Sequence, residues 1–420
     1  MVRLLGFKEK KNVKEALEKI LNSVKVKIND YEVVHIEKAV GRILAEDVVS
    51  GIDVPHFNRS AVDGYAVRAE DTFGASKDNP LLLRVSGRVE IGETVKLKLK
   101  KGEAIRVSTG SILPEGSNAV LKLEDTEKIG EYIEVYKSVA PGENVSKIGE
   151  DVKKGEVVLR KGTVIEPHDL GLLATLGIMK VKVFRKPKVA IFSTGNELVP
   201  IGEKAREGQV VETNRLVIGA ALKQLGCEVL DLGIVRDDVD LIKEKIKFGL
   251  EKADALIVSG GTSVGGKDLV PEAVSKLGKM LVHGIAMKPG MPTALAVSNG
   301  KPIFMLPGFP VAAIISFYTF IPPVIEKIMG FKFVKREWEK VKVKVERRIP
   351  STPGERTFVR VLVKKIGNEF FAEPIRISGS GIMSSIVRAN AIIVIDEEKE
   401  GLEKNEEAEA ILIRPILEKF

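Results

Sequence analysis

Ala255-Leu-Ile-Val258-Ser-Gly-Gly-Thr-Ser-Val-Gly-Gly266 decides how the chain is read. Four apolar residues are too few for a helix and suit a strand buried on both faces. The glycine-rich turn that follows leads into a helical pattern over residues 268–277. The same phrase recurs on either side. Upstream, Val189-Ala-Ile-Phe192 runs into Ser193-Thr-Gly-Asn-Glu197; downstream, Pro302-Ile-Phe-Met-Leu306 runs into Pro307-Gly-Phe-Pro310. Helical spacing at 216–225, with Asn214 a candidate N-cap and Gly226 at the end, and at 241–250 separates the strands, with a further strand at 228–232. Strands alternating with helices predict a doubly wound α/β domain on a parallel sheet over about 186–331.

In an open parallel sheet, ligands bind beyond the carboxyl ends of the strands. Helix N-termini favour anions there, and glycine lets an anionic group approach the backbone closely. Three polar or glycine-rich turns on one edge therefore predict a pocket for a phosphorylated or otherwise anionic small molecule. Gly and Ser also make tight turns for purely structural reasons, which weighs most against any one turn taken alone. Gly261-Thr-Ser-Val-Gly-Gly266-Lys267 has the spacing of a phosphate-binding P-loop, but the next residue is Asp268 where that loop needs Ser or Thr for Mg²⁺. A carboxylate there disfavours a nucleoside triphosphatase. Asp268 suits a metal–anion ensemble or the N-cap of its helix, and the two roles are compatible.

The remaining chain is organised differently. Asn12-Val-Lys-Glu15 opens a first helix as an approximate capping box. Short β-rich runs at 81–85, 95–99 and 132–136, separated by glycine turns, predict a small β module; a helix is expected at 169–176. Beyond Trp338, runs at 341–345, 358–363, 370–374 and 392–395 predict a second β module. The loop Pro55-His-Phe-Asn-Arg-Ser-Ala-Val-Asp63-Gly-Tyr-Ala66 is dense in polar residues, and Thr109-Gly-Ser-Ile-Leu-Pro114 and Gly149-Glu-Asp151 add further acceptors. By themselves Asp63 and Asp151 read first as turn or capping residues.

Composition limits the function classes. With 420 residues, two to four domains are expected at ~100–200 residues each. An apolar share of 44% against a net charge of +8 excludes disorder as the main state. The single cysteine, Cys227, excludes a disulfide scaffold and points to a reducing, cytoplasmic setting. His35, His56, His168 and His283 are too scattered for a zinc site. Residues 1–27 mix charge with apolar residues and show no signal-peptide core. The apolar stretch 303–325 carries Pro307, Pro310, Pro322 and Pro323, which leave only 311–320 helical, too short to cross a membrane. Interspersed charges and 5% aromatics give no nucleic-acid signature. Two glutamines in a Lys- and Glu-rich chain resemble the balance of proteins from hot environments.

Taken in order, these phrases resemble the molybdopterin molybdenumtransferases, the family of MoeA and the gephyrin E domain. The resemblance rests on Phe57-Asn-Arg-Ser-Ala-Val-Asp-Gly-Tyr-Ala-Val67, Arg106-Val-Ser-Thr-Gly-Ser-Ile-Leu-Pro114, Gly149-Glu-Asp-Val152, Ser193-Thr-Gly-Asn-Glu-Leu198, Ser259-Gly-Gly-Thr-Ser-Val-Gly265, Met287-Lys-Pro-Gly290 and Leu306-Pro-Gly-Phe-Pro310. It covers essentially the whole chain.

The resemblance implies a split N-terminal linker domain (1–55 and 141–184), an inserted β module (56–140), an α/β molybdopterin-binding domain (185–331) and a C-terminal β barrel (332–420). It implies insertion of metal from molybdate or tungstate into the dithiolene of adenylylated molybdopterin, with Mg²⁺-dependent release of AMP. Asp63, Asp151, Asp268 and Lys288 match the family's catalytic positions, with Asp63 and Asp268 as Mg²⁺ ligands. Substrate contacts are expected from Thr109 and Gly110; from Ser193, Thr194, Gly195, Asn196 and Glu197; from Asn214; from Ser259, Gly260, Gly261, Thr262, Ser263 and Gly265; and from Pro289, Pro307, Gly308 and Pro310. The implied assembly is a homodimer whose active site is shared between subunits, with Asp63 and Thr109 facing the partner's α/β pocket and a pterin-adenylylating enzyme acting upstream. Asn196, Gly266, Met291, Phe309, Ala312 and Ser146 depart from the family pattern. Losing acidic groups and a lysine near the anion site admits a tungsten-specialised paralogue, or a non-catalytic member that binds molybdopterin or acts as a scaffold.

Overall fold

The computed structural model describes residues 10–416 apart from 95, 262–268, 332–338 and 377–378. They form two compact units. One takes the residues up to Asp30 and those from Arg185 onward; the other is Tyr31–Phe184.

The α/β sheet of the first unit has six strands in the order Glu228–Val235, Lys188–Thr194, Ala255–Ser259, Lys301–Leu306, Ala294–Ser298, Lys279–His283. The first four are parallel, as expected from the strand–helix alternation. The last two run antiparallel and were not legible as strands, so the sheet is mixed rather than purely parallel. They form a hairpin extension beyond the last crossover helix, and such edges on doubly wound sheets are common. Every residue of Ala255–Ser259 is buried, which is why that run is apolar throughout rather than alternating.

The helix Pro310–Met329 corrects the expectation of a helix ending near residue 320. Pro322 and Pro323 lie inside it. Each removes one helical N–H, and the positions four residues before them, Tyr318 and Thr319, are half-exposed. Meanwhile Phe320, Ile321, Val324, Ile325 and Ile328 are buried, and that apolar face outweighs the broken bonds. The helix is long and apolar enough to cross a membrane, but 61% of its most apolar window is buried inside the protein.

The first helix, Val13–Ser23, starts where the capping box predicts, with Asn12 Oδ1 accepting the Glu15 N–H at 2.8 Å. It packs against the α/β elements Lys279–His283, Ala294–Ser298 and Pro310–Met329, not with the linker segments expected to hold residues 1–55. Backbone bonds from Lys25 N to Gly300 O and from Ile28 N to Ile328 O continue that attachment.

The C-terminal strands close into a barrel. Arg356–Ile366, Glu369–Arg376, Lys340–Val345, Glu407–Leu412 and Ala391–Ile395 pair in turn, and the last pairs back with the first. Val343, Val345, Val359, Val361, Val363 and Ile393 fill its interior. The short strand Met287–Lys288 of the α/β domain adds to Arg356–Ile366 in parallel.

In the second unit, residues 64–135 build a six-stranded sheet in the order Ala119–Lys122, Gly64–Val67, Glu103–Val107, Leu81–Val89, Tyr132–Val135, Thr126–Ile129. The strand expected at 95–99 does not form; of its described residues only Lys98 makes a bridge, to Glu115. Leu99 is buried and Leu97 lies over Gly87, so the alternation serves packing without a ladder. Tyr31–His35 pairs antiparallel with Lys180–Phe184 where the chain enters and leaves this unit.

Arg185 fixes the chain's return to the first unit. Its guanidinium grips Asp254 with two bonds of 2.7 and 2.9 Å, and Asp254 also accepts the Lys188 N–H at 2.8 Å. Burial works to raise the Asp254 pKa, but the Arg185 guanidinium and the Lys188 N–H outweigh it and hold the carboxyl below its ordinary value. A carboxylate with a depressed folded pKa stabilises the fold above its unfolded pKa and loses that contribution as pH falls through the folded value. Asp254→Asn is therefore expected to cost about 2 kcal/mol in urea unfolding at neutral pH. The same substitution should flatten the acid limb of stability. An unchanged acid limb would remove Asp254 from this role.

Candidate functional site

The site is built where the sheet reverses its winding. From Lys188–Thr194 the chain crosses to Glu228–Val235 on one side, then returns past it to Ala255–Ser259 on the other. The crevice at such a switch point lies beyond the carboxyl ends of the two central strands. Thr194 and Ser259 end those strands.

Close approach of the turns requires glycine. Gly260 and Gly261 have φ of 93° and 66°. A Cβ on Gly260 would lie 2.4 Å from the Thr194 carbonyl oxygen, and one on Gly261 would lie 2.5 Å from Val270 Cγ2 and 2.8 Å from Thr194 Cγ2. Neither position has room for a side chain. The Gly260 N–H donates to Leu306 O at 3.0 Å, which joins the second turn to the third.

Asn214 completes the junction. It was read as an N-cap, but Thr213 occupies that position and Asn214 is the first helical residue. Its Nδ2 donates to Ser259 Oγ and to Gly308 O, both at 2.8 Å, from a side chain that is almost fully buried. One carboxamide thus holds the second and third turns to the start of the Asn214–Gln224 helix. Helix N-termini at Asn214 and Pro310 both open at this edge and favour negative charge.

Two carboxylates that the sequence did not single out organise the first turn. Glu212 is 3% exposed and accepts Ser193 Oγ–H at 2.9 Å, with Arg215 N–H and Nε–H each at 3.0 Å. Arg215 also pairs with Asp231. Asp237 accepts Thr194 Oγ1–H at 2.7 Å and the Asn196 N–H at 3.3 Å, while its own N–H donates to Asn196 Oδ1 at 3.2 Å. Asn196 therefore keeps the acceptor that Asp237 N requires without setting a second negative charge beside the Asp237 carboxylate. The available signal for Asp237 was its position just past the Glu228–Val235 strand.

Thr262, Ser263, Gly265, Gly266 and Asp268 lie outside the described residues. Glu197 is exposed; its carboxylate oxygens would lie 2.8 and 2.9 Å from a Cβ on Gly195. Lys288 is exposed on the strand added to the barrel, and among the described residues its ammonium makes no ion pair. The turn after it is seated by Pro289 and Gly290, both buried; a Cβ on Gly290 would meet Ser316 Oγ at 2.8 Å. Thr293 Oγ1 bonds Ser316 Oγ at 2.6 Å, anchoring this turn to the Pro310–Met329 helix. Pro307 is buried, and Pro310 is the first residue of that helix. Cys227 is buried.

In the second unit, the run from Val54 to Asp63 carries the remaining candidates. At its start, Asp151 N–H donates to Val54 O at 3.0 Å; at its end, Asp63 Oδ1 accepts the Thr109 N–H at 2.7 Å. Gly110, with φ of 83°, makes the tight turn after Thr109 and donates to Ser60 O at 2.8 Å. The Thr109 backbone N–H, and then its hydroxyl, hold the Asp63 carboxyl below its ordinary pKa, so this exposed group stays ionised well into acid. Asp63 and Thr109 are thus one constellation, while Asp151 sits at the other end of the run. Among the described residues, no cluster of three or more His, Cys, Asp or Glu side chains is gathered around a common metal position.

These features define a multidomain α/β protein with a junction of three strand-end turns at the sheet's switch point and a closed barrel after it. Comparison with known proteins narrows the class. Residues 11–177 match the "MoeA N-terminal region (domain I and II)", residues 190–327 the "Probable molybdopterin binding domain" and residues 342–413 the "MoeA C-terminal region (domain IV)". A protein of Methanocaldococcus jannaschii named for molybdopterin biosynthesis is 41% identical over 389 residues, covering 91% of this chain and 92% of its own. A molybdopterin molybdenumtransferase of Haemophilus influenzae is 34% identical over 88% of this chain and 90% of its own. The crystal structure of a molybdopterin biosynthesis MoeA protein from Pyrococcus horikoshii superposes with a TM-score of 0.83 at 39% identity, covering 97% of this chain and 100% of the other. The chain belongs to the MoeA family.

Asn214→Ala removes both 2.8 Å bonds and leaves the buried Ser259 hydroxyl without its donor, which is expected to cost about 2 kcal/mol in denaturant unfolding. A change below about 0.5 kcal/mol would show that the turns hold together without it.

Proposed function

We propose that the chain is a molybdopterin molybdenumtransferase that takes adenylylated molybdopterin and molybdate or tungstate, places the metal in the dithiolene and releases AMP. The observation that carries this reading is the junction of three strand-end turns through Asn214, in a chain matched along nearly its whole length by the MoeA family. Backbone donors and two helix N-termini suit the phosphate of the pterin and a metal oxyanion. Lys288, with no ion pair of its own among the described residues, supplies positive charge for an anionic substrate.

Asp63 supports the second half of the reaction. Its ionised, exposed carboxylate fits a hard divalent cation, with Asp268 as the second expected ligand. Mg²⁺ held there would offset the charge of the phosphoanhydride. The Thr109 N–H, donating to Oδ1 at 2.7 Å, fixes the carboxylate's orientation. We further propose that two copies pair so that the Asp63 turn of one serves the strand-end pocket of the other.

Asp63→Asn is expected to lower molybdate-dependent AMP release at least a hundredfold while leaving molybdopterin binding within about twofold. Normal turnover by this variant would sink the role of Asp63. Pterin binding by the wild-type chain with no AMP release would favour the scaffold reading instead.

A further inference from the structure

The third strand-end turn breaks a local rule. Phe309 is the N-cap of the Pro310–Met329 helix, with φ −69° and ψ 125°, and makes no side-chain cap bond. That position favours Asn, Asp, Ser or Thr, whose oxygens satisfy a free helical N–H. The residue is also 62% exposed, the most exposed phenylalanine among the described residues. The turn therefore forgoes both a cap and most of the burial that a large apolar ring normally supplies. Local violations of this kind concentrate where function requires them.

The ring is nevertheless placed. Gly381 of the C-terminal segment lies against one side of it: a Cβ there would be 3.0 Å from Phe309 Cδ1 and 3.3 Å from Cε1. The Val311 N–H donates to Ser380 O at 3.0 Å, fixing that segment beside the turn. Phe309 directly follows Gly308, whose carbonyl accepts Asn214 Nδ2 and whose Cβ position is 3.7 Å from Gly260 Cα. An aromatic ring backed by glycine and open to solvent thus stands at the rim of the anion junction.

We propose that Phe309 is a stacking platform for the flat heteroaromatic ring of the ligand whose anionic group occupies the strand-end turns. This inference rests on the proposed function and identifies a specificity-determining residue for it. Both the pterin and the adenine of the substrate are flat heteroaromatic rings, so the two halves are tested separately. Molybdopterin and AMP are each titrated against the wild-type chain and against Phe309→Asn, Phe309→Leu and Phe309→Tyr, with thermal unfolding measured in parallel.

Loss of one stack is worth about tenfold in affinity. The expected result is a tenfold loss in the Asn and Leu variants for the ring that stacks, and retention in Phe309→Tyr. The Tm of Phe309→Asn should rise by a few degrees because the helix gains its cap. Affinity within twofold of wild type for both ligands in Asn and Leu overturns the proposal. So does a loss in Tyr as deep as in Leu, because bulk rather than the ring face would then decide. A wild-type chain that binds neither ligand overturns the functional reading itself, whereas wild-type binding with indifferent variants overturns the stacking role alone.

Discussion

The carboxamide of Asn214 is the constraint on which the candidate pocket depends. Two of the three strand-end turns come from adjacent parallel strands and could splay apart beyond the last ladder bond. Asn214 donates to a hydroxyl on one and a carbonyl on the other. Because the amide is buried, neither bond is exchanged cheaply for water. The glycines follow from this closeness: Gly260 and Gly261 leave no room for a Cβ because the turns are drawn against Thr194. The same junction holds two helix N-termini at one edge of the sheet.

Charge around this junction is divided. The buried Glu212 is neutralised by Arg215 and serves the scaffold, while the exposed Asp237 orders the Thr194–Asn196 backbone. The ionised Asp63 belongs to the other compact unit, where the Thr109 N–H fixes it. A +8 excess spread over the chain does little for binding by itself. What matters chemically is local: oriented N–H groups, Lys288, and carboxylates kept apart from one another.

Much of this was legible in the sequence where function is written in contiguous residues. The glycine-rich phrases after apolar runs marked the strand-end turns, and Asn12 marked the first helix. Asp237 and Glu212 were not legible, because their importance comes from the sheet order that brings them beside Thr194 and Ser193. Asn214 was noticed for the wrong local reason; its side chain answers to neighbours 45 and 94 residues away, not to its own helix. The Pro322-Pro323 pair misled because tertiary burial of Phe320, Val324 and Ile325 outweighed two missing helical bonds. The strands Lys279–His283 and Ala294–Ser298 carry no flanking glycine-rich phrase of the kind that announced the parallel ones. The family resemblance turned Asp63 and Thr109 toward one pocket but did not announce the bond between them, since 46 residues separate them and no spacing rule joins them.

Hydrogen–deuterium exchange with and without molybdopterin tests the central claim most directly. If the ligand's anionic group sits at the Asn214 junction, amides at 193–197, 259–261, 306 and 308–309 should gain protection together, and Asn214→Ala should abolish the gain at the second and third turns. Protection confined to other segments, or undiminished in Asn214→Ala, would contradict it.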